Sequence, residues 1–228
     1  MIPLVLVGAG GFGREAASVV AAINDDRSTY DLLGFVDDSP DLAGHEVGGI
    51  PVLGGLAILD KLATQVVVCT GHPGNYTSRR SLVERIGFAP ERYATLIHPA
   101  AVIPHSTQVG PGTVILATAV ATTTVTIGCH VTIMPAVVLT HDDVVGDYAI
   151  FGAGAKLAGG VEIGVGVYIG SGALVREARS VGDWSLVGMG AVVTRDIPPG
   201  EVWAGVPARR LRSAAMPADP LKSYGDPS

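Results

Sequence analysis

The segment Leu139-Thr140-His141-Asp142-Asp143 is the one place in the C-terminal half where a histidine meets consecutive carboxylates. An imidazole titrates close to neutral pH, and an adjacent carboxylate can fix its tautomer and stabilise the imidazolium that forms when it takes a proton. His141 is therefore the natural candidate for a general base, with Asp142 as its acidic partner, although a solvated turn would present the same residues. Eighteen residues on stands Ala158-Gly159-Gly160, where the missing side chains let backbone amides come close to a ligand. A third constellation lies near the N-terminus, where Gly8-Ala9-Gly10-Gly11-Phe12-Gly13 follows an apolar run and Asp37-Asp38 ends the next one. Glycine-rich loops that open a helix offer free N–H groups to phosphate.

Two kinds of element have to position these residues. From Ala101 to Asp196 the sequence runs as sixteen hexads without a register slip. The third position is Ile103, Val109, Ile115, Ala121, Ile127, Ile133, Leu139 and so on to Val193, and the fourth is Gly in eight hexads. A strict six-residue period with one aliphatic per short strand predicts a triangular parallel β-solenoid, three hexads to a coil and about five coils, each burying its face on the next. Residues 18 apart then stack at about 4.8 Å. His105, Thr123, His141, Gly159, Glu177 and Arg195 fall on one corner, with Gly159 one level from His141. Asp143 takes a hexad position held elsewhere mainly by small or aliphatic residues.

The first 97 residues read differently. Leu4–Val7, Leu32–Val36 and Val66–Thr70 have strand character, and helical periodicity covers Glu15–Ile23 and the stretch from Arg79 to Ile86. Alternating strands and helices imply a small Rossmann-like parallel sheet with a ligand crevice at the strands' carboxyl ends, where Gly10, Gly11, Phe12, Gly13, Asp37, Asp38 and Gly71 gather. The motif Gly8-x-Gly10-x-x-Gly13 also fits a dinucleotide fingerprint, but some 95 residues are too few for a complete six-stranded NAD domain. Nucleotide-sugar binding through the loop amides is the preferred reading, with Asp37 or Asp38 near base or ribose. The expected organisation is 1–97 for this α/β domain, 98–205 for the β-helix and 206–228 for a Pro- and Ala-rich C-terminal tail, mobile from Ser213 onward.

Composition narrows the alternatives. Aromatics are 5% and charged residues 16% of the chain, which suits thin repetitive β-structure. A net charge of −6 gives no footprint for nucleic acid. The stretch from Tyr93 to His141 has no charged side chain before the histidine, yet Pro99, Pro104, Pro111 and Pro135 break it, so no membrane-spanning helix fits. The N-terminal apolar run lacks a basic leader and passes straight into the glycine loop, giving an expectation of a cytoplasmic protein. Cys69 and Cys129 stand apart without metal or disulfide spacing. The metal-dependent carbonic anhydrases share the solenoid but need three converging histidines; His105 is two levels from His141 and His130 holds another hexad position, so no metal is expected. A scaffold that binds sugar without turnover is the remaining alternative.

With Gly8–Gly13, Phe35-Val36-Asp37-Asp38, Ile97-His98-Pro99, Thr140-His141-Asp142, Ala155–Gly159 and Gly205-Val206-Pro207-Ala208 in this order, residues 1 to about 210 resemble the hexapeptide-repeat sugar acetyltransferases, which join a nucleotide-sugar-binding domain to a left-handed parallel β-helix. That group includes NDP-amino-sugar N-acetyltransferases and sialic-acid O-acetyltransferase-like proteins. The resemblance implies a homotrimer active in polysaccharide or glycan biosynthesis, with acetyl-CoA lying between adjacent β-helices. It further implies His141 as base, Asp142 as its polarising partner, the Gly159 amide at the thioester oxygen, and Gly170, Ser171, Gly188 and Met189 in contact with CoA. Three departures bear on the acceptor: Ile150 and Phe12 replace histidines common in the family, and Met134-Pro135 replaces a small polar pair.

Overall fold

The computed structural model describes residues 1–214. Mobility of the tail, expected from Ser213, falls almost wholly on residues outside the described ones. β1 (Ile2–Val7), β2 (Tyr30–Val36) and, later in the chain, Gln65–Val68 form a three-stranded parallel sheet with β1 in the centre. Central position explains the continuous apolar run of β1, since Leu4, Val5 and Leu6 are fully buried from both sides. Helix α1 spans Gly11–Asp26, longer than the periodicity predicts because it begins inside the glycine loop. It packs Ala16, Ala17, Val19 and Val20 on one face of the sheet. Between β2 and the third sheet strand lie a short hairpin, β3 (Glu46–Val47) and β4 (Ile50–Pro51), and a 3-10 turn over Leu56–Lys61. The third sheet strand is β5, and α2 (Ser78–Ile86) follows it, closed by Gly87 in the left-handed conformation at φ +64°.

From Leu96 the chain winds into a parallel β-helix of three faces, with stacks of eight, five and five strands. Nearly every strand of the coils is two residues long, and pairing is parallel at intervals of 18, as in Thr126↔Val144↔Glu162↔Ser180. The third residue of each hexad points inward, so Ile115, Ile127, Ile133, Leu139, Phe151, Leu157 and Ile169 are at most 2% exposed and form one continuous core. The three outer faces differ. One, carrying Thr132, Ile150 and Tyr168, lies under the α/β unit, and Val114 and Leu116 from its lower coils join the α/β core. The second presents Gln108, Thr126, Val144, Glu162 and Ser180. The third presents Val102, Val120, Val138, Lys156, Leu174 and Val192.

The ends depart from the sequence reading at one point. Arg209–Ser213, placed there in the tail, forms an antiparallel strand on Glu201–Ala204. Arg210 Nε donates to Glu201 Oε1 at 2.7 Å, tying the pair.

Candidate active site

His141 and Gly159 meet as the 18-residue spacing predicts. A Cβ built on Gly159 would overlap the imidazole edge at Cε1 and Nε2, so a side chain there would push the ring out of this stack. His141 Nδ1 lies 3.0 Å from Asp142 Oδ2, and Asp142 Oδ1 accepts from the Thr124 hydroxyl at 2.7 Å, one coil below. These two bonds, Thr124 first, hold the Asp142 carboxyl below its ordinary range, so it is ionised and able to orient the ring. Asp142 sits at φ +65°, a left-handed conformation that aspartate tolerates better than most residues. With Nδ1 engaged, Nε2 is left toward Gly159 and solvent. Among the described residues the Gly159 N–H donates to no protein acceptor. The same holds for Thr123 and His141 on its own corner, whereas at the next corner Cys129 N–H donates to Asp147 Oδ1 and Val165 N–H to Asp183 Oδ1. An uncapped amide beside a free imidazole nitrogen is a pairing suited to acyl transfer, with a base for the nucleophile's proton and a donor for the oxyanion.

The other candidate residues lie elsewhere. Gly170, Ser171, Gly188 and Met189 belong to the neighbouring corner, one prism face away from His141. Gly170 is required by coil stacking, a Cβ there falling 2.5 Å from Met189 N, while Met189 itself is 80% exposed. This second corner borders a cleft of about 230 Å3 between the α/β unit and the solenoid. Phe12, Gly71 and His72 line it on one side, Ile150, Tyr168 and Ser171 on the other. Phe12, Met134 and Ile150, the positions read from the sequence as departures from the family pattern, share this one cavity and bring apolar side chains to it beside Glu15, His72 and Arg79.

In the glycine loop, Gly10 and Gly11 have nothing within 4 Å of where a Cβ would stand, and the loop backbone is open to a ligand. Gly13 must be glycine because a Cβ would overlap the Gly8 carbonyl. Asp37 and Asp38 flank a crevice of about 190 Å3 at the carboxyl ends of the strands. Both are already partnered: Asp37 accepts from Ala9 N–H and Ser39 N–H, each at 2.9 Å, and Asp38 accepts from Leu56 N–H at 2.8 Å and Arg85 at 2.6 Å. Asp37 thus shapes the loop as well as bordering the crevice.

Sequence reasoning missed Arg79. It is 2% exposed, donates from Nε and Nη2 to the Thr70 carbonyl and from Nη1 to the His130 carbonyl, and so joins α/β unit to solenoid beside the cleft. Burial lowers its pKa to about 10, still charged at neutral pH. Nothing in its helical context distinguishes it from an exposed arginine such as Arg80.

Fold and corner geometry together define an acyltransferase of the hexapeptide-repeat class. A family model described as the PglD N-terminal domain matches residues 3–86. The chain is 33% identical over 117 residues to a UDP-N-acetylbacillosamine N-acetyltransferase from Bacillus subtilis (strain 168), a match covering 50% of this chain and about half, 51%, of that enzyme. Among solved structures, the acetyltransferase domain of PglB from Neisseria gonorrhoeae FA1090, in complex with acetyl coenzyme A, is similar at TM-score 0.81 and 32% identity over 92% of this chain and 98% of that one. PerB from Caulobacter crescentus, in complex with CoA and GDP-perosamine, is similar at TM-score 0.80 and 28% identity over 92% and 97%. The chain belongs to this family of sugar acetyltransferases, in which an α/β domain precedes a left-handed parallel β-helix.

Proposed function

We propose that the chain transfers an acetyl group from acetyl-CoA to the amino group of a nucleotide-linked sugar. The observation that carries this reading is the His141–Asp142 pair stacked on the uncapped amide of Gly159. The sugar nitrogen attacks the thioester carbonyl while His141 Nε2 accepts a proton from that nitrogen. Asp142 stabilises the imidazolium, and the Gly159 N–H meets the oxygen that becomes negative. Collapse breaks the C–S bond, and the proton held by His141 passes to the departing thiolate, giving CoA thiol and an N-acetyl sugar. Gly10, Gly11, Phe12, Gly13 and Gly71 would hold the nucleotide sugar with Asp37 and Asp38 at the base or ribose, and Gly170, Ser171, Gly188 and Met189 would contact CoA.

The division of labour follows the two parts of the chain, 1–97 for the acceptor and 98–205 for the thioester. Because the His141 corner and the corner bearing Ser171 and Met189 are separated by a whole prism face, one copy does not bring base and cofactor contacts together. A homotrimer in which the His141 corner of one copy faces the second corner of its neighbour would. In support, the face between those corners is apolar except for Lys156, with Val102 59% and Leu174 42% exposed.

The test is release of CoA thiol from acetyl-CoA with a panel of NDP-amino-sugars, with product identified by mass. Wild type should turn over at least one amino-sugar nucleotide, and H141A should lose about 10²–10⁴-fold in kcat. Retained turnover in H141A would sink the base assignment, an ester product would move the reading to O-acetylation, and no turnover with any acceptor would favour a binding protein.

A further inference from the structure

Asp143 is an anomaly of the coil. The first position of its hexad is otherwise filled by residues such as Val125 and Val161, its counterparts one coil below and above, and Asp143 is completely buried. Burying a carboxylate in an apolar solenoid is costly unless hydrogen bonds satisfy it. Both of its oxygens are used: Oδ2 accepts from the Thr140 N–H at 2.7 Å, in its own turn, and Oδ1 from the Val161 N–H at 2.8 Å, one coil on.

The first of these bonds replaces a rung of the ladder. Along the described solenoid the amide that follows each strand donates to a carbonyl one coil on: Gly110 to Ile127, Thr122 to Leu139, Met134 to Phe151, Gly146 to Ile163, Ala158 to Val175, and so on to Gly188 and Trp203. Thr140 is the exception. Its expected acceptor is Leu157, and the pairing of Val138–Leu139 with Lys156–Leu157 is correspondingly reduced to Val138↔Lys156. The interruption falls immediately before His141. Thr113, another buried polar residue at this hexad position, also accepts from the coil above, at Val131, but it has no second oxygen reaching into its own turn.

We infer that Asp143 is a positioning residue: it takes the rung before His141 off the regular ladder and, beside the regular bond from Gly160 N–H to the His141 carbonyl, adds a second tie through Val161 to the Gly159-Gly160 turn, fixing the base relative to the oxyanion amide. This rests on the acetyl-transfer reading above. In D143V the apolar column is continuous through the level of Asp143, Thr140 is free to return to Leu157, and the coil regains its regular form with His141 displaced. A displacement near 1 Å at a reacting group is worth about a hundred-fold in rate.

The test uses full-length D143V and D143N with wild type. D143V should melt at or above the wild-type temperature, because a buried carboxylate gives way to a well-packed aliphatic. Its kcat should nonetheless fall about ten- to a hundred-fold with KM for both substrates within about two-fold. D143N keeps one acceptor oxygen and should lie between, and it serves if D143V does not fold. A second readout needs no substrate. Burial raises the Asp143 pKa to about 6, against the pull of its two amide bonds and with His141 and Asp142 the charged neighbours. The Thr140 and Val161 amide proton shifts should therefore titrate together near that value in wild type and lose the shared step in D143N. A stable D143V with unchanged kcat overturns the inference, as does a shared titration that persists in D143N. Wild type without turnover but with the shared titration overturns the acetyl-transfer reading, and with it the catalytic meaning of the clamp, while leaving the clamp itself established.

Discussion

On the acetyl-transfer reading two demands coincide at Gly159 that are usually met by different residues: space for an imidazole one level away and a free N–H for an anion. No left-handed φ is involved, so alanine is conformationally admissible there and its effect should be confined to the clash with the His141 ring. Gly160 is the reverse case. It has φ +68° and open space around a hypothetical Cβ, so alanine there strains the backbone by about 1–2 kcal/mol without touching the histidine. G159A should therefore fold normally and lose about a hundred-fold or more in kcat, whereas G160A should lose thermal stability and keep most of its turnover. Steady-state assays and melting curves on the two variants would show the crossed pattern. Loss of activity in both, or in neither, would mean that the stack of His141 on Gly159 is not what the rate depends on.

Between elements, the most exacting contact is where the α/β unit docks on the solenoid. His130 is buried there, edge-on to Tyr93 at 4.6 Å and stacked on Tyr148 at 5.3 Å, and its backbone carbonyl accepts from Arg79. Burial lowers its pKa to about 4. The unfolded chain takes up that proton near pH 6.5 and the folded chain does not until about pH 4, so stability falls as pH drops through this window, by an amount on the order of 3 kcal/mol. H130N keeps a residue tolerant of the local φ of +55° and removes the titration. Urea unfolding at pH 7 and pH 5 should show a larger drop for wild type than for H130N; equal drops would place the acid sensitivity elsewhere. How much of this was legible follows from what repeats. The solenoid and the His141–Gly159 stack could be counted from the sequence because one aliphatic recurs every six residues and stacking is fixed at 18. The docking contacts do not repeat: Arg79 lies in a nine-residue helix and reads as a surface residue until two carbonyls from different elements close on it. Asp37 was visible as an acid after a strand, but its role in holding the Ala9 amide depends on a loop shape that spacing does not encode. Arg209–Ser213, with its four polar side chains, reads as tail because its partner strand supplies order that its own composition lacks.

Across the whole molecule the three prism faces differ in what they present. One is occupied by the α/β unit, one is largely polar, and one carries Val102, Val120, Val138, Leu174 and Val192 around a single lysine, Lys156. Burying a row of aliphatic side chains against a like surface is favourable at roughly 25 cal/mol per Å2, and replacing its exposed leucine by a carboxylate removes part of that apolar area and adds a charge to desolvate. L174E should thus shift sedimentation toward a lighter species, and activity should fall in parallel if base and cofactor contacts come from different copies. Unchanged mass would remove this face from the assembly. The 18-residue register described for the coils also acts as a ruler on sequence change. A whole coil added or removed above Gly159 or below Thr124 leaves every inward residue inward, whereas a single-residue insertion turns one face inside out. Between His141 and Gly159 even a whole coil is forbidden, since it would part the base from the amide by one level while leaving the fold intact. The register that keeps the fold is thus a multiple of 18, whereas the pairing of base and amide needs the single spacing of 18 between His141 and Gly159.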